Sequence, residues 1–355
     1  MKQTIFLACF LGLVTAGPVP VVAQTNGYQQ TNLVSSVPGL AVQTDPNLAN
    51  PWGIAVDSSQ TFFISDNHRG VVKAYDAFGD SVFPGLFGLL PTELSNARPT
   101  PSGIVINPTD SFILDGVASH VLIATEEGTI SGWAAVNGDR PEFAAKAIDN
   151  SLEGAVYKGL AVLTPDCCAP LLVVTNFNSG FIEPYTSFFA PLAPPGSFSD
   201  PTLPTGYAPF GIQVIGRQVF VTYGLQNARK HDPVVGTGRG IVSIFDLEGN
   251  FLRRFATSTG LNAPWTVAKA SASFGKFSND ILISNSGDGT ISAFNPTTGK
   301  FLGQLSDPSG KPIVNSDIRG LVFGIGVSGK LDTVYFTSAP NHGRDGLFGS
   351  ISVSR

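Results

Sequence analysis

The chain has 355 residues, of which 43% are hydrophobic and only 13% are charged. This apolar share is enough for a sizeable core and excludes general disorder. The 40 glycines and 26 prolines favour short strands joined by turns, because both residues destabilise helix interiors. The net charge of -5 creates no basic field, which argues against nucleic acid and anionic membranes as partners.

The N-terminal segment has the pattern of a secretory signal peptide. A lysine precedes an apolar run at residues 5–14, and small residues follow it. Cleavage sites fit after Ala16 and after Ala23, and the second would divide the chain into a signal (1–23) and a single mature domain (24–355). No later apolar run approaches the ~18 residues that a membrane span needs. The sequence therefore predicts a secreted, extracellular protein without a membrane span.

Signal cleavage would leave two cysteines, the neighbours Cys167 and Cys168. An exported chain meets an oxidising compartment, which permits a vicinal disulfide, and a pair of free thiols in a turn is the alternative. A bond between adjacent residues cannot staple a fold. Stability is therefore expected to come from the core.

A short phrase recurs six times along the chain, at spacings of 50 to 56 residues. Each phrase has a bulky residue, an anchor residue and an alternating apolar strand, and the anchors are Gly53, Gly103, Gly159, Gly211, Thr266 and Gly320. A second apolar strand then ends in Ser or Thr, and a third strand and a hairpin follow in the better-formed units. Four strands in roughly 50 residues make one blade of a β-propeller. The sequence predicts an all-β, six-bladed propeller, expected to be a monomer.

The two ends of the chain are predicted to close the ring together. The sixth repeat, which begins at Gly320, has room for three strands, whereas residues 29–35 stand before the first anchor without a blade of their own. We expect this segment to supply the missing fourth strand and so remove a free sheet edge. The alternative is a pair of β-sandwich domains, which would show a linker. The proline-rich stretch 190–196 lies inside the third repeat and predicts a long surface loop instead.

The repeats resemble the NHL-type repeats of six-bladed propellers, where Pro-x-Gly-Ile-Ala-Val opens a blade and Asp-Asn ends its second strand. Residues 51–56 read Pro-Trp-Gly-Ile-Ala-Val, and Asp66 precedes Asn67. Over nearly the whole mature chain the sequence also resembles a family of exported bacterial and fungal propellers, on phrases such as residues 124–133. This resemblance implies the propeller fold and brings no known reaction. Thr266 departs from the glycine expected at its anchor.

Two sets of loops in such a propeller meet at one channel mouth: those before the innermost strands and those joining second to third strands. They combine aromatic, amide and charged residues, which suits a polar small molecule, a glycan or an extracellular protein partner. The candidate ligand-binding residues are Trp52, Lys158, Tyr207, Trp265, Arg319, Lys230, His231 and Asp232. The alternative for the two tryptophans is packing between blades. The long loop between Tyr223 and Gly240 is either a lid over this mouth or a solvated flap.

The same loops offer candidate metal ligands. Their hard oxygen donors suit Ca²⁺, in a set that resembles the ion site of gluconolactonase-type propellers, although the Glu-Gly-Pro opening of those enzymes is absent. Three loop histidines, His68, His231 and His342, suit Zn²⁺, as in the amidating lyase built on an NHL propeller. The candidate ligands for an ion are Asp66, Glu126, Asn176, His231, Asp232 and Asn285. A metal-dependent hydrolase or lyase is therefore the alternative function, and the sequence alone does not decide whether the protein is an enzyme.

Overall fold

The computed structural model describes residues 1, 27–192, 198–257, 260–324 and 332–354. The predicted signal peptide, apart from Met1, lies outside these ranges. Within them the regular secondary structure is almost entirely strand, with short 3-10 turns at Asn67–Arg69 and Gly275–Phe277. No helix among the described residues has the length and apolar character needed to cross a membrane.

The first half of the described chain forms the first three blades. Two strands precede blade 1: β1 (Tyr28–Ser35) and β2 (Gln43–Thr44). Blade 1 consists of β3 (Pro51–Val56), β4 (Phe62–Asp66), β5 (Val71–Tyr75) and β6 (Ser81–Gly88). Blade 2 and its small hairpin consist of β7 (Pro101–Ile106), β8 (Ile113–Leu114), β9 (Val117–Ala118), β10 (Val121–Thr125), β11 (Thr129–Trp133) and β12 (Ala145–Asp149). Blade 3 consists of β13 (Tyr157–Leu163), β14 (Leu171–Asn176) and β15 (Phe181–Thr186).

The second half forms the remaining three blades. Blade 4 consists of β16 (Tyr207–Ile215), β17 (Gln218–Leu225), β18 (Ile241–Phe245) and β19 (Phe251–Thr257). Blade 5 consists of β20 (Pro264–Lys269), β21 (Ile281–Asn285), β22 (Thr290–Phe294) and β23 (Phe301–Gln304). Blade 6 consists of β24 (Leu321–Phe323), β25 (Thr333–Ser338) and β26 (Leu347–Val353). The predicted six-bladed propeller is therefore confirmed.

The ring is closed by the N-terminal strand, as predicted. Strand β1 pairs antiparallel with β26, so that Tyr28 lies opposite Val353 and Ser35 opposite Leu347. Strand β2 adds a short parallel pairing on the outer side of β1. Both outer positions of blade 6 thus come from the start of the chain, and β26 has no free edge.

Blade 3 departs from the predicted four strands, because its sheet has three among the described residues. Beyond β15 the chain returns only briefly: the Thr186 N–H donates to the Ala190 carbonyl, and the Leu192 N–H donates to the Pro184 carbonyl, both at 2.8 Å. Pro191, between them, has no N–H with which to extend a ladder. The rest of the proline-rich stretch that predicted a long loop, residues 193–196, lies outside the described residues.

Glycine anchors let the innermost strands crowd around the central axis. A Cβ atom on Gly211 would lie 1.9 Å from the Trp265 carbonyl oxygen, and one on Gly103 would lie 2.5 Å from the Lys158 carbonyl oxygen. Only glycine allows backbones to approach so closely. The cavity enclosed by these strands measures about 30 Å³, so the axis is nearly closed below the mouth.

Hydroxyl groups at the ends of second strands join neighbouring blades. The Thr222 Oγ1 accepts from the Gly211 N–H of its own blade at 2.8 Å and donates to the Trp265 carbonyl of the next blade at 3.1 Å. Thr175, Ser284 and Thr337 each form the same pair of hydrogen bonds, one within the blade and one to the next blade. The Ser or Thr that recurs in the sequence is therefore an inter-blade connection.

The hydrophobic core lies between adjacent sheets. One cluster joins Leu122 of blade 2 to Leu160 of blade 3, and another joins Val242 of blade 4 to Ile283 of blade 5. Alternate residues of each strand face one neighbouring blade or the other, so middle strands are apolar on both faces. This explains the continuous apolar runs of the second strands.

Candidate binding site at the channel mouth

The loops before the inner strands and the loops after the second strands open on one face of the ring. Pro51, at the start of β3, lies opposite Asp66, at the end of β4. Pro264, at the start of β20, lies opposite Asn285, at the end of β21. Side chains from five blades meet at the centre of this face, and we call them the mouth cluster: Trp52, Glu126, Lys158, His231, Asp232 and Arg319.

Lys158 is the central residue of the mouth cluster. Its side chain is completely buried, and its ammonium forms an ion pair with the buried Glu126 carboxylate. A second carboxylate oxygen, Asp232 Oδ1, lies 3.5 Å from the same ammonium. Blade 2 supplies Glu126, blade 3 supplies Lys158 and the long loop of blade 4 supplies Asp232. This loop therefore contacts the mouth, in agreement with the lid interpretation.

The charged groups of the mouth cluster shift one another's pKa values. Burial alone would raise the pKa of Glu126, but the Lys158 ammonium outweighs it and holds the pKa below its usual range. The His231 Nδ1 lies 3.1 Å from Asp232 Oδ2, and this contact raises the His231 pKa and lowers the Asp232 pKa to about 2. Both carboxylates are therefore ionised at neutral pH.

Trp52 forms the floor of the cluster together with a second tryptophan. Both Trp52 and Trp265 are only 4% exposed, and their rings meet edge to face with centroids 4.9 Å apart. The Arg319 guanidinium carbon lies 3.7 Å from the Trp52 ring centroid, and the Lys158 ammonium lies 4.6 Å from it. These are cation–π contacts. The Trp52 ring is thus covered by protein groups and offers no open stacking platform.

Several buried donors of the mouth have no acceptor among the described residues. They are the Trp52 indole Nε1 and the Nε and Nη1 nitrogens of Arg319. The Arg319 Nη2 donates to Asp317 Oδ2 at 2.5 Å, so the guanidinium is held in place on one side only. Buried donors are normally hydrogen-bonded in folded proteins. These three nitrogens therefore stand out among the buried polar atoms of the mouth.

Two predicted binding residues lie away from the cluster. Tyr207 begins β16 and packs, half-buried, in the apolar cluster between blades 3 and 4. Lys230 is exposed on the long loop of blade 4 and has a φ of 53°, a left-handed conformation that turns the loop. The turn places His231 and Asp232 at the mouth, so Lys230 positions its neighbours.

Three predicted metal ligands are occupied by structural contacts. The Asn176 Oδ1 accepts from the Val156 N–H at 3.2 Å, and the Asn285 Oδ1 accepts from the Asn262 N–H at 3.0 Å. The Asp66 Oδ1 accepts from the Ala49 N–H at 3.0 Å. Each of these side chains holds its own loop against the next one. Each of these three candidate calcium ligands thus already accepts a backbone N–H group.

The donor set that does converge is smaller. Among the described residues, one group of three or more potential ligands forms: single donor atoms of Glu126, His231 and Asp232 lie within 4.8 Å of one another. His68 and His342, expected to complete a zinc site, do not belong to it. The Lys158 ammonium already lies between the two carboxylates of this group. A divalent ion there would meet that buried positive charge at close range.

Asn67 connects Glu126 of the mouth cluster to the loops of blade 1. The sequence analysis did not name Asn67 as a candidate site residue. Its Nδ2 donates to Glu126 Oε2 at 2.8 Å, and its Oδ1 accepts from Asn50 Nδ2 at 2.9 Å. The Glu126 carboxylate is thus fixed on one oxygen by Lys158 and on the other by Asn67. The Asp-Asn phrase at the end of the second strand was the available signal for this role.

Comparison with known proteins places the fold and the family. No protein-family model matches the sequence. A streptogramin B lyase structure matches with a TM-score of 0.52 and 12% identity, and the match covers 94% of this chain and 100% of that one. The PQQ-bound aldose sugar dehydrogenase structure from Streptomyces coelicolor matches with a TM-score of 0.51 and 12% identity, and the match covers 94% of this chain and 100% of that one. Likenesses at this identity show the propeller fold alone.

The sequence relatives are viral, whereas the sequence phrases suggested bacterial and fungal exported proteins. Uncharacterized protein R648 of Acanthamoeba polyphaga mimivirus is 32% identical over 333 residues, which cover 90% of this chain and 78% of that protein. Uncharacterized protein L690 of the same virus is 30% identical over 334 residues, covering 90% of this chain and 84% of that protein. The chain therefore belongs to the propeller family that includes the mimivirus proteins R648 and L690.

Proposed function

We propose that this protein is a recognition propeller whose mouth binds a polar small molecule through its oxygen atoms, free or as part of a glycan. The observation that carries the proposal is the set of unpartnered buried donors on Trp52 and Arg319. A buried donor without an acceptor costs folding free energy, about 1–3 kcal/mol. A ligand oxygen at this point would recover that cost as binding energy.

The charge balance of the mouth supports a neutral or weakly acidic ligand. Glu126 and Asp232 offset the Lys158 ammonium, and Asp317 holds Arg319. No single sign of charge dominates, so a strongly charged ligand would meet like charges on one side. Hydroxyl groups can accept from Arg319 and donate to the half-exposed Asp232, which matches the chemistry of sugars.

A metal-dependent hydrolase or lyase is the second candidate, favoured by the convergence of Glu126, His231 and Asp232. A Ca²⁺ or Zn²⁺ ion at these donors would polarise a substrate carbonyl or activate water. These three donors lie on the predicted face of the ring, but Lys158 would have to leave the two carboxylates before an ion could bind. For this reason we rank recognition above metal catalysis, and a bound extracellular protein remains a third outcome of the test.

Export and domain organisation belong to the same proposal. We infer that residues 1–23 are removed as a signal and that residues 24–355 form one secreted, monomeric propeller. The adjacent cysteines Cys167 and Cys168 are paired as a vicinal disulfide in an exposed turn between β13 and β14. A disulfide is typical of an oxidising compartment.

A melting-temperature screen tests the proposal. The purified chain is melted with neutral saccharides and small hydroxy-carboxylates, because a ligand that binds only the folded state raises its stability by mass action. For any ligand that stabilises the wild type, Arg319→Leu and Trp52→Phe should each weaken binding about five- to ten-fold by removing one hydrogen bond. Lys300→Ala, at an exposed position of an outer hairpin, is the matched control and should bind normally. Stabilisation that both mouth variants retain would refute the proposed site.

A further inference from the structure

A cavity separate from the mouth cluster lies between blades 3 and 4. It measures about 740 Å³, within the range of small-molecule sites. It lies beside β15, which is the outermost strand of blade 3 among the described residues. None of the mouth-cluster residues lines it.

One wall carries a carboxylate that several donors hold in place. The Glu183 Oε1 accepts from Asn176 Nδ2 at 2.7 Å, and its Oε2 accepts from the hydroxyls of Tyr157 at 2.6 Å and Tyr185 at 3.0 Å. The Asn150 Nδ2 donates to both phenol oxygens, at 2.6 and 2.8 Å. This network orients the carboxylate before any ligand arrives, which is the condition for strong recognition.

The negative charge of Glu183 has no matching positive charge in the part of the chain that the structure describes. Among the described residues no basic side chain forms an ion pair with it, and no described lining residue is Lys, Arg or His. The other buried acid of the cavity, Asp200, is already paired with Arg254. A half-buried carboxylate without a counter-ion favours a cationic ligand.

Blade 4 contributes an unpartnered hydroxyl to the cavity lining. Tyr223 lines the cavity and is only 2% exposed, and its hydroxyl has no hydrogen-bond partner among the described residues. A buried hydroxyl normally bonds to something. As an acceptor, this oxygen can take one N–H of a ligand whose charge lies against Glu183.

Aromatic and aliphatic side chains form the remaining surface. Phe181, at the rim, is 70% exposed, and Phe198 and Leu203 line the interior. Apolar walls bind the body of a ligand, and aromatic faces attract cations. Glu153, also at this cavity, adds a further negative charge that repels anions.

We propose that this cavity binds an organic ammonium ion, with its charged group against Glu183 and Tyr223 and its apolar body against Phe181 and Phe198. The site is independent of the proposed function of the mouth. It requires only shape, one unmatched carboxylate and a free hydroxyl, so it is a binding site without a catalytic step.

Three probes of nearly equal shape test the charge requirement by calorimetry on the full chain at neutral pH. Phenethylammonium should bind with one site per chain, 2-phenylethanol should bind at least ten-fold more weakly, and 3-phenylpropionate should not bind. Glu183→Gln should reduce the affinity for the ammonium probe to that for the alcohol. Glu248→Gln, the same change at an exposed turn of blade 4, is the matched control and should bind like the wild type.

Phe181→Ala keeps the proposal falsifiable if the Glu183 variant folds poorly, because this exposed ring contributes little to the core. It should weaken the ammonium probe several-fold without changing the melting temperature. Equal binding of the alcohol and the ammonium probe would indicate a neutral ligand such as a sugar and would overturn the proposal. Failure of all three probes to bind would overturn it as well, without bearing on the mouth.

Discussion

The ammonium of Lys158 sets the electrostatics of the mouth, since it is fully buried and contacts two carboxylates from different blades. A buried ion pair is costly to break from one side, because the remaining charge stays in a medium of low dielectric constant. The pair therefore behaves as a unit. Substitutions at Lys158 and Glu126 should not be additive.

Lys158→Met should destabilise the protein by roughly 3–5 kcal/mol, because it leaves the Glu126 carboxylate buried without its partner. Adding Glu126→Gln should recover most of that loss, since the second change removes the stranded charge. Urea unfolding of the wild type, both single variants and the double variant measures the coupling. Additive losses would show that the pair is not coupled.

Asp66 is the second residue whose charge state matters. It is completely buried, its Oδ2 has no hydrogen-bond partner among the described residues, and burial raises its pKa to about 7. The folded state therefore binds a proton that the unfolded state releases at lower pH. The stability that this proton provides is present below the unfolded pKa and is lost as pH rises through about 7.

Asp66→Asn should therefore flatten the dependence of stability on pH. Between pH 4 and 8 the wild type should lose on the order of 4 kcal/mol relative to the variant, at about 1.4 kcal/mol per unit of pKa difference. Chemical unfolding across this range gives the two slopes. Asp115→Asn, at an exposed position, should keep the wild-type slope, and an unchanged slope for Asp66→Asn would contradict the assignment.

Among the elements, the second strand of each blade has two roles, one in the core and one between blades. Its apolar residues pack on both neighbouring sheets, and its final hydroxyl connects two inner strands. Periodicity and the recurring Ser or Thr made the blades predictable from sequence. The acceptor carbonyls were not predictable, because each belongs to the next blade, 43 residues along the chain from Thr222 and 35 from Thr175.

Thr222→Val should cost about 1–3 kcal/mol, because it leaves the Gly211 N–H and the Trp265 carbonyl buried without their shared partner. The shape of the side chain is nearly unchanged, so lost packing contributes little. Thr222→Ser keeps the hydroxyl and is the matched control, with a smaller loss expected. Equal unfolding midpoints for the valine and serine variants would show that the hydroxyl is not a connection between blades.

The candidate site was predictable at the level of its face but not of its contacts. The repeat pattern alone predicted that the loops with Lys158, Glu126 and Asp232 lie on one face of the ring. Their ion pairs depend on the path of the long blade 4 loop, for which no repeat gives a template. Asn176 and Asn285 accept backbone N–H groups in their own loops, and sequence alone does not distinguish this use of an amide side chain from metal binding.

For the whole molecule, ring closure depends on eight residues from the start of the described chain. Strand β1 covers the edge of β26 and buries Tyr28, Leu33 and Val34. Each such side chain contributes about 1.5–3 kcal/mol, which together is comparable with the total stability of a typical domain, about 5–15 kcal/mol. The ring should therefore not remain folded without this strand.

Two truncations test the closure. Deleting residues 1–26 removes none of the described strands and should leave the melting temperature unchanged. Deleting residues 1–35 should abolish the cooperative melt and cause aggregation, because the exposed edge of β26 can then pair with other chains. A soluble, cooperatively folded product of the longer deletion would show that blade 6 is complete without β1.

The central claim, that the mouth donors bind a ligand oxygen, is tested most directly by nitrogen–proton NMR during titration with a stabilising ligand from the melting screen. The account predicts that the Trp52 indole N–H and the Arg319 Nε–H resonances move together as the site fills, with Trp52→Phe and Arg319→Leu identifying the signals. The Trp133 indole N–H, already bonded to the Pro141 carbonyl at 3.0 Å, should not move. A panel without a stabilising ligand, or a ligand that leaves the Trp52 and Arg319 resonances in place, would contradict the account.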